Sequence, residues 1–162
     1  MAFTFSANAQ IKQIGLEKFL DADKKIILPT TAGKFTETLG TEPDTKDDPN
    51  TKRGFYFSWM TDEEVEITFV ELKDDNQYVG FSCHSDDEIG GLPYDLVFNN
   101  TTLEESLRNF KKFDASWHQV AEEDNNYFLL SFKDKNRYVY LYFYGESKVL
   151  RVITVSTTEL DT

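Results

Sequence analysis

Apolar and polar positions alternate with two different periods along the chain, and the switches between them outline the fold. Ile11, Ile14, Leu16, Phe19 and Leu20 recur at helical spacing and predict an amphipathic helix of roughly three turns, despite Gly15. A second, shorter helix is expected from Thr30 or Thr31, with Phe35 and Leu39 four residues apart on one face and Gly40 as its stop. Residues 41–53 are polar, carry Pro43, Pro49 and four carboxylates, and read as a mobile loop. The period then becomes two. Phe55 to Trp59 form one strand. Val65, Ile67 and Phe69, alternating with Glu64, Glu66 and Thr68, form a half-buried second strand, and residues 78–84 form a third.

After Asp86-Asp87-Glu88 and Gly90-Gly91 the plan repeats. Asn99 to Thr102 are capping residues for a helix whose Leu103, Leu107 and Phe110 share a face, with Glu104 and Glu105 in its first turn. Strands follow over 115–121, 127–132, 137–144 and 148–156, joined by short polar connections. Laid over one another, Phe35/Leu39 match Leu103/Leu107, and Val65/Ile67/Phe69 match Val139/Leu141/Phe143. The expected class is α+β: an antiparallel meander sheet with helices packed on one face, in two tandem helix-plus-meander repeats. The expected division is an N-terminal segment 1–10, a first half 11–88 and a second half 89–162.

The stretch Gly91-Leu92-Pro93-Tyr94-Asp95-Leu96-Val97-Phe98, followed by a Thr-capped helix and an aromatic meander, resembles bacterial proteins of the β-lactamase-inhibitor-protein-like fold. The segment from Leu28, ending Leu39-Gly40-Thr41-Glu42-Pro43, looks like that family's helix and Leu-Gly-x-x-Pro turn. Two departures stand out. Phe110-Lys111-Lys112 occupies the place of the second Leu-Gly turn, and the single cysteine, Cys83, excludes the paired cysteines of the inhibitor that names the fold. Members of this fold mostly bind proteins, as enzyme inhibitors, small outer-membrane assembly lipoproteins or toxin-immunity proteins. The resemblance therefore implies a binding module.

Composition narrows the partner. The chain of 162 residues has 17 basic and 29 acidic side chains, a net charge of −12. Such a charge repels phosphate backbones and anionic bilayers, so nucleic acid is not an expected partner. No apolar run reaches the roughly 18 residues a membrane helix needs. Residues 1–88 hold 9 of the basic and 18 of the acidic groups, so the acidity is expected mainly in the first half. Ala7-Asn8-Ala9 has the form of a signal-peptidase site. The sequence as it begins suggests a cytoplasmic protein; an upstream start would make it periplasmic or secreted.

Chemistry is sparse. Cys83 and His84 are neighbours in a strand and point to opposite faces, so they are expected as a buried thiol and a surface imidazole rather than a metal pair. Beside Trp117, one of the pair Trp117/His118 should face the core. The carboxylate clusters 47–48, 74–75, 86–88 and 122–124 lack calcium-loop spacing and read as solvated turns. Neither a nucleophile elbow nor a phosphate-binding glycine loop is present. No catalytic residue, metal or cofactor is assigned. A hydrolase using clustered carboxylates would require a pocket of converging acids with raised pKa values.

The most informative stretch runs from Arg137 to Tyr144. Val139, Leu141 and Phe143 point one way, and Tyr138, Tyr140, Tyr142 and Tyr144 the other. With helices on the aliphatic side, the tyrosines form a ladder on the open side, with Glu64 and Glu66 on the equivalent face of the first half. Tyrosine offers large contact area at low entropy cost. These residues, with Tyr56, are the candidate partner-binding set. Their alternative role is cross-strand stabilisation, or burial under a second layer. The leading expectation is a non-enzymatic acidic immunity or inhibitor protein that occludes a toxin or enzyme with a basic surface. The alternative is an exported envelope scaffold or lipoprotein-like module. The oligomeric state is left open.

Overall fold

A computed structural model describes residues 11–46 and 55–162. Its centre is an eight-stranded antiparallel sheet. In chain order the elements are β1 (Lys12–Gln13), α1 (Ala32–Leu39), β2 (Thr45–Lys46), β3 (Phe55–Met60), β4 (Val65–Glu71), β5 (Gln77–Cys83), β6 (Ile89–Gly90), α2 (Leu103–Asn109), β7 (Ser116–Glu122), β8 (Asn125–Asp134), β9 (Arg137–Tyr144) and β10 (Val149–Ser156). The sheet order is β2-β3-β4-β5-β10-β9-β8-β7, while β1 and β6 form a separate parallel pair. The class is α+β, as the alternation in the sequence implies. From the central β5–β10 contact outward, each flank runs backwards through its own meander. The two strands matched in the sequence, β4 and β9, thus both lie one place from the centre.

Helix ends form where the capping chemistry is. The Thr31 hydroxyl accepts from the Lys34 N–H at 3.2 Å, and Gly40 closes α1 at φ 70° in the left-handed region. Thr102 and Glu105 form a reciprocal capping box at the start of α2. Both helices lie on one side of the sheet. Phe35 of α1 is fully buried and stacks on Phe19 at 4.3 Å and Trp59 at 5.4 Å. Under α2, Phe110 stacks on Phe132 at 4.6 Å, with Tyr94 edge-on to both. Between these aromatic clusters Val79, Phe81, Ile153 and Val155 make the core continuous across β5 and β10.

The first helix is not formed. Lys12–Gln13 instead pairs in parallel with Ile89–Gly90, Gly15 turns the chain at φ 70°, and only Glu17–Phe19 takes up one helical turn, of 3-10 type. Ile14, Leu16 and Phe19 are buried all the same. Their spacing satisfied a helix, but a left-handed glycine between them ends the ladder and a distant strand supplies the backbone partners. Gly90 and Gly91, expected as a turn, are where that strand docks: a Cβ on Gly91 would lie 2.8 Å from the Gln13 carboxamide. Within the expected loop, Thr45–Lys46 pairs with β3. Its residues 47–53, like segment 1–10 with the Ala7-Asn8-Ala9 signal, lie outside the described residues.

A bulge joins the two flanks. The β9–β10 register shifts between Leu150 and Val152. The intervening Arg151 donates to the carbonyls of Ser85 (3.0 Å) and Cys83 (2.9 Å) and to Asn99 Oδ1 (2.7 Å). Asn99, itself at φ 62°, donates back to the Ser85 and Asp87 carbonyls. The segment between the flanks is thereby tied to the central strand.

Candidate protein-binding face

Pleating sends alternate residues of each strand away from the helices. Reading the register across the sheet gives rows on the far face. One row runs Tyr56, Val70, Tyr78, Ser156, Tyr138 and Lys133. The next is Ser58, Thr68, Gly80, Thr154, Tyr140, Ser131 and Ser116. A third is Met60, Glu66, Ser82, Val152, Tyr142, Leu129 and His118. Tyr144 and Tyr127 follow, their rings 5.5 Å apart. Seven of the eight tyrosines therefore share this face, every one except Tyr94. The middle row is small at Ser58, Thr68, Gly80 and Thr154, so the tyrosines stand above a low floor. At Gly80 the approach is close: a Cβ there would meet Thr68 Oγ1 at 2.6 Å.

The tyrosine surface is not confined to the second half, since Tyr56 and Tyr78 extend it across the first. Nor is it uniformly open. Beyond β10 the chain turns back over the face, and the Leu160 N–H donates to Tyr140 Oη at 2.7 Å. Tyr140 is left only 5% exposed, so it is a seat for the terminal segment rather than a free rung of the ladder. Tyr138, Tyr142 and Tyr144 remain partly exposed. Burial, reinforced by the Tyr127, Tyr144, Tyr140 and Tyr78 phenols, pushes Tyr142 up to about 12. Burial likewise raises Tyr56, with Glu66 adding to it, and Tyr144, with Tyr127 adding to it. At neutral pH these phenols are protonated and offer both donor and acceptor.

Glu66 is the charged centre of the face. Its Oε1 accepts from Tyr56 Oη at 3.3 Å and from Ser58 Oγ at 3.1 Å, and its Oε2 lies 3.2 Å from His84 Nε2. Glu64 is placed differently from the expectation. It has φ 61° and sits in the turn before β4, because its N–H bonds back to Thr61 and its carbonyl accepts from the His84 N–H. It borders the face at the sheet end. Trp117 and His118 are both exposed: Trp117 lies on the helix side, but on an outer strand that α2 does not cover. Cys83 is buried, with Sγ 3.3 Å from the Ser85 carbonyl, while His84 is exposed.

Acidic turns from both halves of the chain fall at one end of the sheet. The β3–β4, β7–β8 and β9–β10 turns and the end of β5 meet at one end of the sheet, because the meanders are antiparallel. They bring Asp62, Glu63, Glu64, Asp86, Asp87, Glu122, Glu123, Asp124 and Glu146 to that end, against Lys12, Lys148 and Arg151, with Lys12 pairing to Asp87 at 2.6 Å and Arg151 lying 3.6 Å from Asp86. The opposite end mixes Asp74 and Asp75 with Lys73, Lys133 and Lys135.

On the helix side lies a buried ionic group that the sequence did not suggest. Asp134, 2% exposed, pairs with Lys25 Nζ at 2.6 Å and accepts from Tyr94 Oη at 3.0 Å. Arg137 stands beside it and donates to the Ile26 carbonyl at 2.9 Å. Burial alone would raise the Asp134 carboxyl; Lys25, Tyr94 and Arg137 overcome it and hold the group below the usual carboxylate range. Lys25 reaching Asp134, and Arg137 reaching the Ile26 carbonyl, tie loop 21–26 to the β8–β9 hairpin. Among the described residues, no three His, Cys, Asp or Glu side chains are grouped for a metal, and no helix is long and apolar enough to cross a membrane. Comparison with known protein families, with characterised proteins and with solved structures finds no match.

Proposed function

We propose that the chain is a non-enzymatic protein-binding module whose tyrosine face docks a protein with a basic surface, as an acidic immunity or inhibitor protein would. The observation that carries this reading is the gathering of seven tyrosines on the sheet face that neither helix covers, around a single hydrogen-bonded carboxylate, Glu66. Aromatic side chains with a polar tip give contact area with little entropy lost on binding. The adjoining acidic sheet end supplies steering toward a cationic partner. Occlusion is the mechanism: Tyr142, Tyr138 and Tyr127 anchor the contact, and Glu66 presents a carboxylate in place of an anionic substrate.

The test compares three immobilised forms against extract of the source organism, with retained proteins identified by mass spectrometry. The forms are wild type, Tyr142→Ala with Glu66→Ala, and a helix-side control, Lys34→Ala. A protein held by wild type and by the control but not by the face variant supports the proposal. Retention of the same proteins by all three forms overturns it.

A further inference from the structure

Strand β7 is an outer strand of the sheet, seven residues long, and among the described residues it pairs through β8 alone. Natural outer strands are commonly blunted by Lys, Pro or a bulge. Ser116-Trp-His-Gln-Val-Ala-Glu122 has no Lys or Pro, carries its one acidic charge at the end, and pairs with β8 without a register shift. The hairpin loop has two residues between Glu122 and Asn125. Such a closing pair exchanges backbone hydrogen bonds, so alternate residues Ala121, Gln119 and Trp117 turn their N–H and C=O groups outward.

We infer that β7 pairs antiparallel with β7 of a second copy of this chain, about a two-fold axis at Gln119. The strand is complementary to itself in that register. Outward rungs meet outward rungs: Gln119 with Gln119, and Trp117 with Ala121, a large side chain beside a small one. On the tyrosine side, His118 lies beside Val120 and Ser116 beside Glu122, so no like charges are opposed within the strand. The register also carries the acidic turn Glu122-Glu123-Asp124 of one copy to the end where the other holds exposed Lys111 and Lys112, alongside one acid, Asp114. Trp117, 47% exposed and touching Phe128 at 5.9 Å, gains cover from the partner strand. An axis perpendicular to the sheet leaves both tyrosine faces on the same side. The β7 edge is separate from that face.

A seven-residue strand pair is a small interface, so the dimer is expected to be weak and visible only at high concentration. Sedimentation velocity across a wide concentration range reads it directly. Tryptophan emission gives a second signal, since Trp59 is already fully buried and any concentration-dependent blue shift reports Trp117. Wild type should pass from monomer to dimer with a matching blue shift. Gln119→Lys, which sets two ammonium groups side by side at the axis, should raise the dissociation constant at least tenfold and leave the circular dichroism spectrum unchanged. Tyr142→Ala on the sheet face should leave dimerisation as in wild type. A chain that stays monomeric throughout overturns the inference, and is the result expected if β7 takes up a strand of a different protein. A dimer unaffected by Gln119→Lys overturns it too, because the contact then lies elsewhere.

Discussion

Asp134 illustrates how a single side chain can hold two segments distant in sequence. Its carboxylate is charged, buried and bonded to Lys25 and Tyr94, so its folded pKa lies below the unfolded one. A depressed carboxyl contributes stability that is present above the unfolded pKa and lost as pH falls through the folded value. Denaturant titrations between pH 7 and pH 2 should therefore show wild-type stability falling at the acid end, with a smaller acid dependence in Asp134→Asn. Lys25→Met, which strands the buried carboxylate, should cost about 3 kcal/mol at neutral pH. Ser106 is the opposite case. Its hydroxyl is fully buried in α2 and has no hydrogen-bond partner among the described residues. Ser106→Ala should be neutral or raise stability by about 1 kcal/mol, because an unmatched polar group is removed from the core. Neither site was legible in the sequence. Asp134 stands in a polar stretch that reads as turn, and its partners come from residues 25 and 94.

At the scale of elements, the sequence was most legible where one rule decides the structure. The period-two runs became strands nearly residue for residue, because shifting any of them by one position would expose Val65, Ile67 and Phe69, or Val139, Leu141 and Phe143. The two capped helices were equally clear. Thr102→Ala removes one side of a complete capping box and should lower stability by about 1 kcal/mol in thermal or chemical denaturation, with the fold kept. The N-terminal segment does not form the helix its pattern suggests: Ile14, Leu16 and Phe19 are buried as the pattern demands, but their backbone is organised by Gly15 and by pairing with Ile89–Gly90. A local pattern carries no record of a partner so far along the chain. The same holds for Tyr140, whose alternation placed it on the correct face while only tertiary structure covers it with the segment around Leu160.

At the scale of the molecule, antiparallel topology reorganises both features that the sequence assigned to separate halves. Tyr56 and Tyr78 join the tyrosines of β8 and β9 on one face. Turns from both flanks collect acidic groups at one sheet end, and the charge of −12 acquires a direction. A partner drawn to that end should associate more slowly as salt rises, with its dissociation rate much less affected, as stopped-flow kinetics at several ionic strengths would show. The measurement that tests the central claim most directly is calorimetric titration of the retained partner against wild type, Tyr142→Ala and Lys34→Ala. A binding face centred on Tyr142 predicts a loss of about 2 kcal/mol, roughly 30-fold in affinity, for Tyr142→Ala, and none for Lys34→Ala on the helix side. Equal affinity of Tyr142→Ala and wild type, with the partner lost on Lys34→Ala, would contradict the account and move the binding surface to the helices.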